Sequence, residues 1–276
     1  MDAQYLLQQY VDTGLRIPKY QFDKLSNNLK KTYIRKREIA IMNYEFPPQR
    51  EDPDDIIDEV DEDFIPLEYE VKYFNDKTLS KLIEYDMSYY FYLRNPSEEI
   101  QRIAVQKNGN SLSRIENPSE EVQLASVKND PMSIRYIKNP SEDIQLAAVN
   151  KMGFALRYIE NPSEEVKLAA VQQTPQSIKH INNPSEELKL LAVQKDGYSL
   201  SFIENPSEEL KLLAVKRNGR SISTIVDPSE EVQLAAVQQD FDTIRYIRNP
   251  TERVKEYVRK QRELNESITR IKRLLT

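Results

Sequence analysis

Eight nearly identical phrases begin at Asn95, Asn117, Asn139, Asn161, Asn183, Asn205, Asp227 and Asn249, and every interval is 22 residues without an insertion. "NPSEEVKLAAVQQ" at 161–173 and "DPSEEVQLAAVQQ" at 227–239 differ at two of thirteen places. A period of this length marks a solenoid or array built from one supersecondary unit. A 22-residue unit cannot bury its own apolar face, so neighbouring copies have to cover one another.

Within the phrase the spacing predicts a long helix, a tight turn and a short helix. Asn or Asp reads as the N-cap, Pro as the first helical residue and Glu as the third residue after the cap. Asn95, Pro96 and Glu98 show this, with Ser97 as the alternative cap, two residues later. The Glu pair faces the positive end of the helix dipole. Apolar residues follow at helical spacing; in the repeat from Asn161 they are Val166, Leu168, Ala169, Ala170 and Val171, with Leu168 assigned to the core. A small residue recurs at Ala104, Ser126, Ala148, Ala170, Ala192, Ala214 and Ala236, which lets helices approach closely. Gly109, Pro131, Gly153, Pro175, Gly197 and Gly219 read as helix stops. The short helix follows, as in "SIRYI" at Ser133–Ile137, whose two Ile residues share one face.

The phrases "NPSEEVKLAAV" and "SIRYI" resemble a family of 22-residue helical repeats known as a domain of unknown function, associated with bacteriophages, large DNA viruses and some bacteria. More loosely they are similar to HEAT and variant leucine-rich repeats. The resemblance is close over 95–248 and poor in the flanks. It implies an all-α, right-handed-type solenoid and a viral origin, and it carries no catalytic residues.

The expected organisation is an N-terminal helical segment (1–45), an acidic linker or arm (46–72), a degenerate capping repeat (73–94), seven repeats (95–248) and a C-terminal capping helix (249–276). In the first segment Gly14 ends one helix, Pro18 opens another, and Ser26 or Asn27 caps a third that carries Lys30, Lys31, Arg35, Lys36 and Arg37. Nine of the thirteen residues from Glu51 to Asp63 are acidic. No glycine interrupts that run, so an EF-hand loop does not fit; a solvated linker is the plainest reading. In the last segment Val254, Tyr257, Val258, Leu264, Ile268, Ile271 and Leu275 mostly step by three and four residues. That segment holds eight basic and four acidic residues, in a chain whose net charge is −6.

With 39% hydrophobic and 30% charged residues the chain is lean in apolar content, which suits an elongated fold. There is no Cys, so neither a disulfide framework nor thiolate chemistry is expected. The first residues lack the pattern of a signal peptide, and no apolar run approaches the roughly 18 residues that span a bilayer. A cytoplasmic protein with no membrane contact is expected.

The short helices carry the most suggestive pattern. Arg135–Tyr136, Arg157–Tyr158, Lys179–His180 and Arg245–Tyr246 occupy matching slots and form a basic-aromatic ladder, interrupted at Ser113–Arg114, Ser201–Phe202 and Ser223–Thr224. Arg and Tyr are common interface anchors. The plain alternative packs the Tyr rings between repeats and leaves the bases in water. His180 is the single histidine, and it fills a slot that elsewhere holds Tyr or Phe, so a structural role is expected. Phosphate-binding loops, zinc spacings and nucleophile elbows are missing. The expectation is therefore a protein-binding scaffold without catalytic residues, metal or cofactor, which if viral would inhibit or retarget a host enzyme. Nucleic-acid binding through the ladder, Lys30–Arg37 and the C-terminal helix is the second reading. Self-assembly through the C-terminal helix is the third.

Overall fold

The structure, a computed structural model, describes residues 19–43 and 68–275; Gly14, Pro18 and the acidic run 51–63 lie outside them. The chain divides into two compact units, residues 1–133 and 134–276. Among the described residues every regular element is a helix, and the repeat occurs in both units, giving the all-α solenoid of two-helix repeats. Each long helix of these repeats has ten residues and starts at the acidic pair, which is Glu–Glu except for Glu142–Asp143: Glu98–Lys107 and Glu120–Asn129 in the first unit, then Glu142–Lys151, Glu164–Gln173, Glu186–Lys195, Glu208–Arg217 and Glu230–Gln239.

The Asn or Asp of the phrase is not the cap. Ser97 is, with extended backbone and an Oγ that accepts the Ile100 N–H at 3.4 Å; Ser119, Ser163, Ser185, Ser207 and Ser229 cap in the same way. Asn139, Asn161, Asn183, Asn205 and Asp227 instead take φ between 47° and 52°. Asn and Asp tolerate this left-handed region better than other non-glycine residues, so the slot selects for a turn. The Ser hydroxyls also reach backward: Ser97 Oγ donates to Asp76 Oδ2 at 2.6 Å, and Ser119, Ser163 and Ser229 donate to Glu98, Glu142 and Glu208. The first Glu of a pair thus ties its helix to the next repeat as well as facing the dipole.

The turn residues do not act as left-handed helix stops. Each opens a six-residue 3-10 helix: Gly109–Arg114, Pro131–Tyr136, Gly153–Tyr158, Pro175–His180, Gly197–Phe202 and Gly219–Thr224, with Phe241–Tyr246 in the last repeat. Glycine is required at Gly153 by closeness. A Cβ there would stand 2.4 Å from the Ala170 carbonyl oxygen and 2.8 Å from Thr174 Cβ. The Gly153 amide donates to Gln173 Oε1 of the following repeat at 2.6 Å. The small residues Ala104, Ser126, Ala148, Ala170, Ala192, Ala214 and Ala236 are fully buried, as are most of the Val residues beside them. Leu168 and Ala169 are only partly buried, so in that repeat the buried residues of the long helix are Val166, Ala170 and Val171.

Among the described residues, the first unit has ahead of its repeats the helices Lys19–Lys24, Asn27–Asn43, Glu68–Val71 and Asp76–Tyr85 and the 3-10 helix Met87–Tyr92. Ser26 Oγ receives the Leu29 N–H at 3.4 Å, and Asn75 takes the Ser slot by receiving the Thr78 N–H at 3.0 Å. Phe22, Tyr33, Ile41, Leu82, Ile83, Tyr89 and Tyr90 belong to one buried cluster that extends to Ile100 and Ala104 of the first repeat. Burial pushes the Tyr89 phenol up to about 12. Two expectations change here. Residues 68–71, placed in the acidic arm, form a helical turn with Glu70 and Val71 buried. Arg37, part of the Lys30–Arg37 stretch offered to nucleic acid in the second reading, is buried and pairs with Glu70 at 3.3 Å, while the Tyr33 hydroxyl donates to the other Glu70 oxygen at 2.5 Å.

In the second unit Val254 and Val258 of the helix Glu252–Leu275 close the core of the last repeats beside Val237 and Ile247. No helix among the described residues is long and apolar enough to cross a membrane.

Candidate functional site

The 3-10 helices fix the direction of the ladder residues. Burial of Ile134, Leu156 and Ile178 against the stack leaves the next two side chains outward, and these are Arg135–Tyr136, Arg157–Tyr158 and Lys179–His180. The rings do not vanish into the repeat junctions: Tyr136 is 39% exposed, and Tyr158 and His180 are half-buried.

The basic groups lie on aromatic rings. The guanidinium carbon of Arg135 stands 4.7 Å from the Tyr136 centroid, Arg157 5.0 Å from Tyr158 and Arg245 4.9 Å from Tyr246. Arg135 Nη2 also donates to the Tyr136 hydroxyl at 2.8 Å. That hydrogen bond is the main reason its pKa lies above the ordinary value, and Tyr158 of the next repeat acts in the same sense. Lys179 Nζ is 4.8 Å from the Phe154 ring and 5.7 Å from Phe202, reaching a repeat on either side. His180 meets Phe154 edge-on at 6.1 Å. Burial, then Lys179 and Arg157, hold its pKa below the ordinary value. Each such pair contributes about 0.5–1 kcal/mol at an exposed site.

Seven of these side chains therefore form one continuous patch: Arg135, Tyr136, Arg157, Tyr158, Lys179, His180 and the unanticipated Phe154. Phe202, counted as an interruption, joins through Lys179. Arg245–Tyr246 repeats the local pair but stands apart, because Ser223 and Thr224 occupy the rung between. Arg114, also counted as an interruption, lies 5.1 Å from the Phe91 ring and donates to the Phe91 carbonyl at 3.2 Å. Beside that pair in the first unit, Tyr92, Leu93 and Arg94 line an open cleft. Alignment by slot concealed these residues: Phe154 lies four residues before Tyr158, and the Arg114–Phe91 and Lys179–Phe154 pairs each join neighbouring repeats rather than neighbours in sequence.

A guanidinium laid on a ring keeps its N–H edge outward, and this edge suits carboxylates or phosphates bidentately. One face of Tyr136, of Tyr158 and of Phe154 is already covered by a cation, which leaves less ring for stacking a base. Among the described residues no three His, Asp or Glu side chains converge as metal ligands. Comparisons with models of protein families, with curated proteins and with solved structures found no match.

Proposed function

We propose that this chain is a non-enzymatic protein-binding solenoid that receives an acidic surface of another protein on the patch from Arg135 to Phe202. The observation that carries this reading is that four successive 3-10 helices each contribute to cation–aromatic contacts on one patch. Arg and Tyr together supply rigid area and charge-assisted hydrogen bonds, the usual content of interface hot spots. The covered ring faces favour a protein partner over single-stranded nucleic acid. A viral chain, as the repeat resemblance implies, would use such a face to inhibit or retarget a host enzyme.

The test uses the wild-type chain and the triple variant Arg135→Glu, Arg157→Glu, Lys179→Glu as baits in nuclease-treated lysate of the source cell. A protein retained stoichiometrically by the wild type and lost from the equally helical variant is the expected result. Equal retention by both would move the binding face elsewhere. Retention of nucleic acid that falls steeply with salt would replace this reading with the second.

A further inference from the structure

The helix Glu252–Leu275 has 24 residues, about 36 Å at 1.5 Å per residue. One stripe runs along it through Val254, Tyr257, Gln261, Leu264, Ile268 and Ile271, in alternating steps of three and four residues. This is the a/d pattern of a coiled-coil seam, narrower than the face with which a helix covers a globular core. Its two halves differ. Val254 and, just beside the stripe, Val258 are 0% and 3% exposed and belong to the core of the last repeats. Leu264, Ile268 and Ile271 are 53%, 41% and 57% exposed. The stripe that closes the repeats thus continues past them into solvent.

We propose that this exposed half-seam packs against the same half-seam of a second copy of the chain, with the two helices antiparallel. Seam flanks set partner choice in coiled coils. Here Lys260, Asn265, Ser267 and Lys272 flank the exposed half, while Arg259, Arg262, Glu263, Glu266, Arg270 and Arg273 lie farther out. Arg259 and Lys260 lie within ion-pair distance of Glu263 and Glu256 of their own helix. No acidic or basic row flanks the seam to demand a partner of opposite charge, and an aliphatic seam is complementary to itself. Orientation follows from the occupied half. A parallel partner would bring its own last repeat against the same side of the seam at the same height, where the first copy's last repeat already sits. Antiparallel packing separates the two. Setting Ile268 of one copy opposite Ile271 of the other also places Lys272 beside Asn265 rather than beside another lysine.

Light scattering and sedimentation equilibrium on the full chain, over a range of concentrations, test this. A mass rising from the monomer value of 32.4 kDa to twice that value is expected. The Ile268→Asp variant should stay monomeric with the helical content of the wild type, since the side it alters is exposed in the single chain, and its melting temperature should not vary with concentration. The chain contains no cysteine, so orientation can be read from introduced thiols. An N265C/K272C variant should oxidise to a covalent dimer, and N265C alone should not. A wild type that is monomeric throughout, or an Ile268→Asp chain that dimerises equally, overturns the proposal. Ready cross-linking of N265C alone overturns the antiparallel arrangement. None of these readings depends on the basic-aromatic patch.

Discussion

At the start of the first unit, Arg37 and Glu70 are 1% and 0% exposed and face each other at 3.3 Å, with Tyr33 on the same carboxylate. In the repeats the buried polar side chains, among the described residues, are hydroxyls such as Ser133, Ser177, Ser199 and Thr243 and the amide of Gln233. This N-terminal part of the first unit buries charge and large rings, whereas the repeats bury Ala, Val, Ile and Leu. The difference follows from copying. A slot that occurs in every repeat meets its own copy on the adjoining repeat, and a charge there would face a like charge in a low-dielectric interior. The N-terminal part occurs once, so it can pair unlike groups.

The largest effect should come from breaking the region that is used once. Glu70→Ala strips a buried guanidinium of its carboxylate, and breaking one side of a buried pair costs about 3–5 kcal/mol. Chemical denaturation should show that loss. A loss no larger than that of a surface substitution would mean that the pair is solvated in solution, and the contrast with the repeats would collapse.

Next comes a test inside one repeat. Leu188 and Leu190 lie two residues apart on the helix Glu186–Lys195 and are 3% and 44% exposed. Leu188→Ala should cost about 2–5 kcal/mol and Leu190→Ala about 1 kcal/mol at most. Equal losses would restore the wider core that helical spacing assigns, with Leu168 in it.

The contrast also explains what the sequence made legible. Repetition supplies several readings of one slot, so the 22-residue unit, its two helices and its small buried residues stood out. The cap was ambiguous because Asn and Ser are both good N-caps; the choice lies in the left-handed φ of the Asn slot, which has no distinct letter. The short helix is six residues of 3-10 type, and the spacing of three between its Ile residues fits that geometry as well as an α-helix. Arg37–Glu70 was invisible, since 33 residues separate the partners and nothing repeats them. In the patch, each Arg–Tyr neighbour pair could be read, while Phe154 under Lys179 and Phe91 under Arg114 depend on how one repeat leans on the next.

The smallest expected effect concerns the one histidine. Burial against Phe154, with Lys179 and Arg157 nearby, lowers the His180 pKa in the folded chain. The unfolded chain, with an ordinary value of about 6.5, therefore takes up the proton first as pH falls. The sign is fixed by linkage: where the unfolded state binds more protons, stability rises with pH. The contribution is fully present above the unfolded value, fades as pH drops below it, and stops changing once pH lies below the folded value. His180→Phe keeps an aromatic ring in the slot, as Phe202 does one repeat on, and removes the titration. Melting temperatures of the two chains, followed from about pH 8 to about pH 5, should diverge only across that window, with the wild type losing more. Parallel curves would show that the repeats respond to pH through their surface carboxylates, and that the ring of His180 is no more enclosed than the cations around it.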